Sequence, residues 1–132
     1  MNDIADVAKF MMLGGQTVPY DVDDYVTASE MGAFIDRVVE EHNETCEGIY
    51  YDNEVEIVDG FLDIAYAAMT GAIRKAGATK AALAWEAILD ANLAKVDGRH
   101  GPVRRDPETG KILKPEGWTA PDIEKILQEE VF

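Results

Sequence analysis

The chain has 132 residues, 47% of them hydrophobic, which is enough for the core of one soluble domain and too few for two typical ones. Its net charge of −14 lies entirely in residues 1–70, which hold sixteen acidic and two basic residues, whereas residues 71–132 are balanced. Such an acidic surface repels nucleic-acid backbones and anionic membranes and attracts divalent cations, so we exclude a nucleic-acid-binding role.

The beginning of the chain and its cysteine content bear on the compartment. The first residues are acidic and include only a short apolar run, unlike a signal peptide, and no run reaches membrane-spanning length. The single cysteine, Cys46, excludes an internal disulfide, and no zinc-type Cys/His spacing occurs. We therefore expect a cytoplasmic protein that does not contact a membrane.

A first helix and an acidic loop open the chain. The apolar spacing of residues 2–13 predicts a helix that ends at Gly14. The following loop starts at Asp21 like a calcium-binding loop, but Tyr25 replaces its third oxygen ligand and Gly32 its closing Glu. We therefore do not expect an EF-hand.

The second predicted helix is acidic along one side. Thr27 and Glu30 form a capping box that predicts a helix running to about Tyr50. At 100° per residue, Glu41 and Glu44 lean toward its apolar face, and Arg37 lies beside them. For this helix alone, the alternative is a solvated acidic face with an Arg37–Glu41 surface pair.

The stretch from Asp52 to Gly77 predicts a third helix, with Asp52 as its cap. This helix is apolar on so many sides that we expect it to be buried. One narrow stripe of it is polar and contains Glu56, Asp59, Asp63, Tyr66, Thr70 and Arg74. Carboxylates on a buried helix must face a cleft, where unpaired charge is costly. The link to the second helix is very short, so the two helices pack antiparallel and bring Glu41 and Glu44 toward this stripe. We expect the converging carboxylates to bind Mg²⁺ or Mn²⁺ rather than zinc.

The C-terminal half predicts a fourth helix from the Thr79 cap to Lys95, with Asn92 and Lys95 on one face. Residues 103–105 and 111–113 flank a Pro/Gly turn, which is typical of a β-hairpin, and residues 121–130 fit a last short helix. The sequence thus predicts one all-α domain, residues 1–132. We expect an antiparallel four-helix bundle with a C-terminal extension from about residue 96 that holds the hairpin and the final helix.

Several motifs together resemble one family. EEHNE at Glu40–Glu44 resembles the EExxE signature of the all-α NTP pyrophosphatases, the MazG-like superfamily, and EIVDGFLDIAYAAMTG resembles its second acidic helix. The closest resemblance is to the phosphoribosyl-ATP pyrophosphohydrolase-like branch, which is common among phages and bacteria. It rests on VAKFMMLGGQTVP, the Asp59 and Asp63 pair, Asn92-x-x-Lys95 and the tail GPVRRDPETGKILKPEGWTAPDI. Nearly the whole chain is covered.

The chain departs from the superfamily at one position. The wider superfamily has Glu three residues before the Asp that corresponds to Asp63, where this chain has Gly60. We expect Asp59 to act with Asp63. The alternative is that Glu56-x-x-Asp59 is the working pair, and Glu56 is kept as a further ligand.

The resemblance implies a metal-dependent hydrolase that cleaves an NTP, dNTP or related nucleotide between the α and β phosphates, giving a monophosphate and pyrophosphate. It implies catalysis and metal binding by Glu41 and Glu44, with Glu56, Asp59 and Asp63 as further ligands of Mg²⁺ or Mn²⁺. For the substrate, we expect contacts from Asn92, Lys95, Arg37, Tyr66, Gln16 and Arg104. The base and the sugar cannot be read from the sequence.

Two further expectations concern assembly and rival functions. The apolar circumference of the third helix and the resemblance both predict a homodimer or a dimer of dimers. The alternative is that the hairpin and the final helix cover this surface within one subunit. The rival function is a non-catalytic acidic interaction or regulatory protein. A di-iron carboxylate protein is excluded, because neither His42 nor His100 has a Glu three residues before it.

Overall fold

The computed structural model describes residues 3–130, which contain five α-helices and no strand, so the all-α class is confirmed. The chain divides into two compact units, one up to Ala81 and one from Ala82. None of the helices described has the length and apolar character that a membrane span requires. The helices are α1 (Asp3–Leu13), α2 (Ala28–Tyr50), α3 (Glu54–Ala76), α4 (Ala78–Ala94) and α5 (Ile123–Gln128).

The ends of α2 and α3 are set by side-chain caps. The Thr27 hydroxyl accepts a hydrogen bond from the Glu30 N–H at 3.1 Å, and α2 ends at Tyr50, as predicted. The cap of α3 is Asn53, whose Oδ1 accepts from the Glu56 N–H at 3.2 Å. The prediction of Asp52 as the cap is wrong, because Asp52 lies in the turn with φ 51°, whereas a capping residue has extended backbone.

In the first unit, α2 and α3 pack antiparallel, and glycines fix their separation. A Cβ built on Gly60 would lie only 2.9 Å from the Cβ of Thr45, and one on Gly48 would lie 2.9 Å from that of Glu56. Side chains larger than hydrogen do not fit at these two points, so the backbones can approach closely. In this register Glu41 of α2 lies near Asp63 of α3.

The helix α1 and the loop after it are also tied to α3. Their buried apolar residues are Ile4, Val7, Ala8, Met11 and Val26. Arg74 of α3 is buried and donates hydrogen bonds to Asp23 at 2.7 Å and to Glu30 at 3.1 Å. The ammonium of Lys75 donates to the Asp23 carbonyl at 2.9 Å. These bonds anchor the loop between α1 and α2 to the end of α3.

The expectation that α3 is buried is wrong for the single chain. Val55, Val58, Phe61 and Leu62 are between 57% and 77% exposed. Within the first unit, α1 and α2 pack on α3 and leave these apolar side chains in solvent. Sequence periodicity identifies an apolar helix, but it does not say which molecule covers it.

The cap of α4 lies two residues before the predicted Thr79 cap. The Gly77 carbonyl accepts the first helical hydrogen bond, from the Ala81 N–H at 3.0 Å, so α4 starts at Ala78 and Thr79 lies inside it. Gly77 has φ +81°, and a Cβ there would lie 2.6 Å from the Pro19 carbonyl oxygen. A glycine is therefore needed for the sharp turn between α3 and α4.

The second unit contains the remainder of α4, a long loop and α5. The Trp118 indole N–H donates to the Ala91 carbonyl at 2.7 Å, and the Arg99 guanidinium bonds to Asp90 at 3.1 Å and to Asp97 at 2.6 Å. These contacts fix the loop against α4 within this unit.

The expected β-hairpin is reduced to one antiparallel bridge between Arg105 and Ile112, closed by a turn in which the Gly110 N–H donates to the Asp106 carbonyl at 2.8 Å. Within residues 82–130 no further strand flanks it, and an isolated two-stranded pair is marginal. The final helix is shorter than the predicted 121–130, because the Asp122 carboxylate caps it by accepting from the Lys125 N–H at 3.0 Å.

Candidate active site

A solvent-open cavity of about 590 Å³ lies in the first unit between α1, α2 and α3. Glu41 and Asp63 line it, with Arg37 one turn before Glu41 on α2 and Tyr66 one turn after Asp63 on α3. Gln16, from the loop after α1, also lines it. Five of the predicted site residues thus share one cavity, whose volume falls in the range of small-molecule sites.

Glu41 is the most constrained carboxylate of this cavity. Its side chain is only 14% exposed. Burial raises the pKa of Glu41 above its ordinary value, and the negative charges of Glu44 and Asp63 raise it further. The Arg37 guanidinium, 3.6 Å away, offsets part of this effect. The three carboxylates are therefore crowded, and a bound cation would relieve their repulsion.

The other predicted ligands lie near this cavity or apart from it. Glu44 and Glu56 line a second cavity, of about 320 Å³, beside the α2–α3 turn. Tyr51 and Asn53 lie in its wall. Asp59 is exposed and lines neither of these two cavities. The three predicted ligands on α3 thus lie in different surroundings: Asp63 lines the first cavity, Glu56 lines the second, and Asp59 lines neither.

Within residues 3–130, no three His, Cys, Asp or Glu side chains are arranged to hold a metal ion. The donor chemistry nevertheless fits a hard cation, because Glu41, Glu44 and Asp63 offer only carboxylate oxygens and the latter two both act electrostatically on Glu41. Metal binding would require these flexible side chains to rotate toward a common point.

Gly60 gives a structural reason for the departure from the superfamily motif. A glutamate at this position would collide with the buried Thr45 side chain, whose hydroxyl donates to the Glu41 carbonyl at 2.7 Å. The close helix packing therefore excludes a carboxylate at residue 60 unless Thr45 moves. Asp63 remains the α3 carboxylate that lines the same cavity as Glu41.

The remaining predicted substrate residues belong to the second unit. The Lys95 ammonium donates to Asn92 Oδ1 at 3.1 Å and lies 5.0 Å from the centre of the Trp118 ring. The Lys114 ammonium lies 5.2 Å from the same ring, and Arg104 donates to the Lys114 carbonyl at 3.5 Å. These residues form a local basic cluster around Trp118.

Sequence reasoning missed Trp118 and Phe10. Trp118 could have been noted as a tryptophan in a Gly- and Pro-rich tail, where large apolar side chains are otherwise few. Phe10 falls outside the buried stripe of α1, and its ring packs edge-to-face on Tyr66 with centroids 5.3 Å apart. The sequence signal for Phe10 is its position outside the apolar stripe of α1, where an aromatic side chain is not needed for the core.

Comparison with family models and with curated proteins finds no match for this chain. A functional proposal therefore rests on the sequence motifs and on the geometry of the acidic cavity.

Proposed function

We propose that the chain is a metal-dependent nucleotide pyrophosphohydrolase that cleaves the α–β phosphate bond of an NTP, dNTP or related nucleotide and releases a monophosphate and pyrophosphate. The observation that carries this proposal is the cavity in which Glu41, its pKa raised by burial and by Glu44 and Asp63, lies among open aromatic side chains. The resemblance to the all-α NTP pyrophosphatases supports it, because Glu40 and Glu41 of the EExxE motif line this cavity together with Asp63.

The carboxylates have two roles in this proposal. Glu41, Glu44 and Asp63 would hold Mg²⁺, or alternatively Mn²⁺, with Asp59 or Glu56 as a further ligand. When bound, the ion would offset phosphate charge and polarise the α-phosphoryl group. Glu41 or Glu44, where it is not itself a ligand of the ion, would accept the proton of the attacking water.

Basic residues have to neutralise the phosphates in an otherwise acidic cavity. The Arg37 side chain is 67% exposed at the cavity, so it is able to contact a phosphate or to keep Glu41 in position. From the second unit, Lys95 and Arg104 would contact the phosphates, and Asn92 would orient the substrate. The resemblance also implies a homodimer or dimer of dimers whose sites draw on both chains. We further propose that α4 packs into a four-helix bundle and that the protein is cytoplasmic.

The decisive assay is a panel of canonical and modified NTPs and dNTPs, with Mg²⁺ and with Mn²⁺. We expect equal amounts of pyrophosphate and monophosphate from at least one of them. Release of inorganic phosphate without pyrophosphate would indicate different chemistry, and no release from any nucleotide would contradict the proposal.

An acidic interaction protein is the second candidate. It is favoured by the absence, within residues 3–130, of a preformed three-residue metal site and by the exposure of Asp36, Glu40, Glu44 and Glu47 on α2. Metal titration distinguishes the two functions, because a ligand that binds the folded state raises the melting temperature. If millimolar Mg²⁺ changes neither the melting temperature nor proton uptake, the second candidate is preferred.

A further inference from the structure

Two aromatic rings line the acidic cavity and keep much of their surface open. Phe10 of α1 and Tyr66 of α3 pack with ring planes 79° apart, yet they are 55% and 40% exposed. In an edge-to-face pair most ring faces remain uncovered by the partner ring. Because both residues also line the cavity, their open surface is available to a planar ligand.

One of the rings, that of Tyr66, lies one helical turn from the Asp63 carboxylate. Tyr66 follows Asp63 by three residues, which places the two side chains on one face of α3, about 4.5 Å apart along the axis. A ligand with its phosphates near Glu41 and Asp63 must therefore extend about one turn to reach the rings. A nucleotide has this form, since its sugar separates the phosphates from an aromatic base.

Gln16 adds a polar group beside the rings. Its backbone N–H donates to the Met11 carbonyl at 2.8 Å, which folds the chain back after α1 and brings residue 16 to the cavity. Among the described residues, no hydrogen bond involves its side-chain amide. A primary amide offers two donors and one acceptor, which matches the edge of a nucleobase.

We propose that Phe10, Tyr66 and Gln16 form a base-recognition subsite, in which the two rings contact the plane of the base and the Gln16 amide binds its edge. This inference rests on the proposed function and narrows its substrate to molecules that carry an aromatic base, rather than a simple polyphosphate or a sugar phosphate. Stacking alone tolerates every base, so discrimination among bases falls to Gln16.

The test is calorimetric titration of the full chain, with Mg²⁺ present, using AMP, GMP, CMP, UMP and ribose 5-phosphate. Ribose 5-phosphate keeps the sugar and the phosphate and lacks the base. We expect at least one monophosphate to bind on the order of tenfold more tightly than ribose 5-phosphate, the range expected for stacking on aromatic side chains. Phe10→Leu should reduce the ratio of monophosphate affinity to ribose 5-phosphate affinity several-fold. The affinity for ribose 5-phosphate itself should not change, and this would show that the cavity of the variant is intact.

Two further variants make the test specific. Gln16→Leu, at an exposed loop position, should change the order of preference among the four monophosphates. Tyr25→Leu is the matched control, because Tyr25 is 94% exposed and does not line the cavity, and it should leave all five affinities unchanged.

Equal affinities for all five ligands, no binding of any of them, or a ratio that neither Phe10→Leu nor Gln16→Leu changes, would overturn the inference. Failure of the proposed function has a different signature. In that case no nucleotide releases pyrophosphate, while a preference for monophosphates over ribose 5-phosphate persists. Pyrophosphate release combined with equal affinities would retain the hydrolase and remove the base subsite.

Discussion

Glu41 is held in an environment that disfavours its charge. Burial and the neighbouring Glu44 and Asp63 carboxylates raise its pKa above the ordinary 4.5. At neutral pH the side chain is ionised in the unfolded chain, so forming the folded state there carries an electrostatic cost. That cost disappears as the pH falls through the folded-state pKa toward 4.5, because the carboxyl becomes protonated. A site that is costly without a cation is typical of residues retained for function.

The substitution Glu41→Gln should therefore abolish turnover without weakening the metal-free fold. We expect its midpoint of urea unfolding in EDTA to equal or exceed that of the wild type at neutral pH, and the difference to vanish below pH 4.5. Asp63→Asn should also abolish turnover without lowering the midpoint at neutral pH. Glu116→Gln in the second unit is the control. A clearly lower midpoint for Glu41→Gln would mark the residue as structural.

The contribution of Asp23 to stability depends on pH in the opposite sense to that of Glu41. Its hydrogen bond from Arg74 lowers the pKa of Asp23 below the ordinary 3.8, so the pair stabilises the fold above that pH and loses its effect as the pH falls through the folded-state pKa. Asp23→Asn should lower the melting temperature at neutral pH, with the difference shrinking in strong acid. Asp24→Asn, an exposed neighbour, should change little. Equal melting curves for the two variants would show that the Arg74 contact contributes nothing.

Substitution of Lys95 distinguishes substrate binding from metal binding. A cation belongs with phosphates rather than with carboxylates, so Lys95→Ala should weaken substrate binding more than Mg²⁺ binding. Titrating the variant with Mg²⁺ and then with a slowly hydrolysed nucleotide measures both affinities. Lys111→Ala, at an exposed lysine of the same unit, is the control. Unchanged nucleotide affinity in Lys95→Ala would remove Lys95 from the site.

At the scale of elements, the α2–α3 hairpin depends on Gly60. We expect Gly60→Ala to lower the free energy of unfolding by about 1–3 kcal/mol, because its Cβ would lie 2.9 Å from that of the buried Thr45. Gly32→Ala is the matched control within α2, where nothing lies within 4 Å of the new Cβ, and it should gain about 0.5–1 kcal/mol from helix propensity. Urea unfolding measures both. A stabilised Gly60→Ala would show that α2 and α3 are able to separate freely.

Local signals in the sequence predict all five helices, with errors of a few residues at some ends, whereas features that depend on distant partners are missed. Thr27 predicted the start of α2 because its bond to the Glu30 N–H is made within one turn. Asp52 was mistaken for a cap because the left-handed backbone of the turn is not visible in its residue type. The hairpin failed for a tertiary reason, since residues 82–130 contain no further strand to extend the Arg105–Ile112 bridge.

The same distinction applies to the candidate site. Helical spacing brought Glu41 and Asp63 to one cavity, because an antiparallel hairpin with a short link has little freedom in its register. Asp59 is expected to act with Asp63, but it is exposed and lines neither acidic cavity, although the two residues are one helical turn apart on α3. Phe10 could not be predicted as a neighbour of Tyr66, because that contact depends on how α1 crosses α3.

At the scale of the whole molecule, the first unit leaves a large apolar surface in solvent. Single exposed apolar residues are ordinary, but contiguous ones usually mark an interface. A groove of about 350 Å³ between α2 and α3 adds Met31, Val38 and Gly71 to this surface. The exposed large apolar residues of the two helices include Ile35, Val39, Ile49, Val55, Val58, Phe61 and Leu62.

We predict that a second copy of the chain covers this surface. Light scattering at micromolar concentration should give twice or four times the 14.5 kDa mass of one chain. Leu62→Glu should shift the mass toward that of one chain, because a charge would be buried at the interface. Val103→Glu, at an exposed valine of the second unit, is the matched control and should not change the mass.

The charge of the chain gives this prediction a second test. Each copy has a net charge of −14, so association through apolar surface is opposed by repulsion that salt screens. Added salt should therefore strengthen the dimer, whereas an assembly held by ion pairs would weaken. A mass of one chain that stays unchanged on tenfold dilution and with added salt would defeat the prediction.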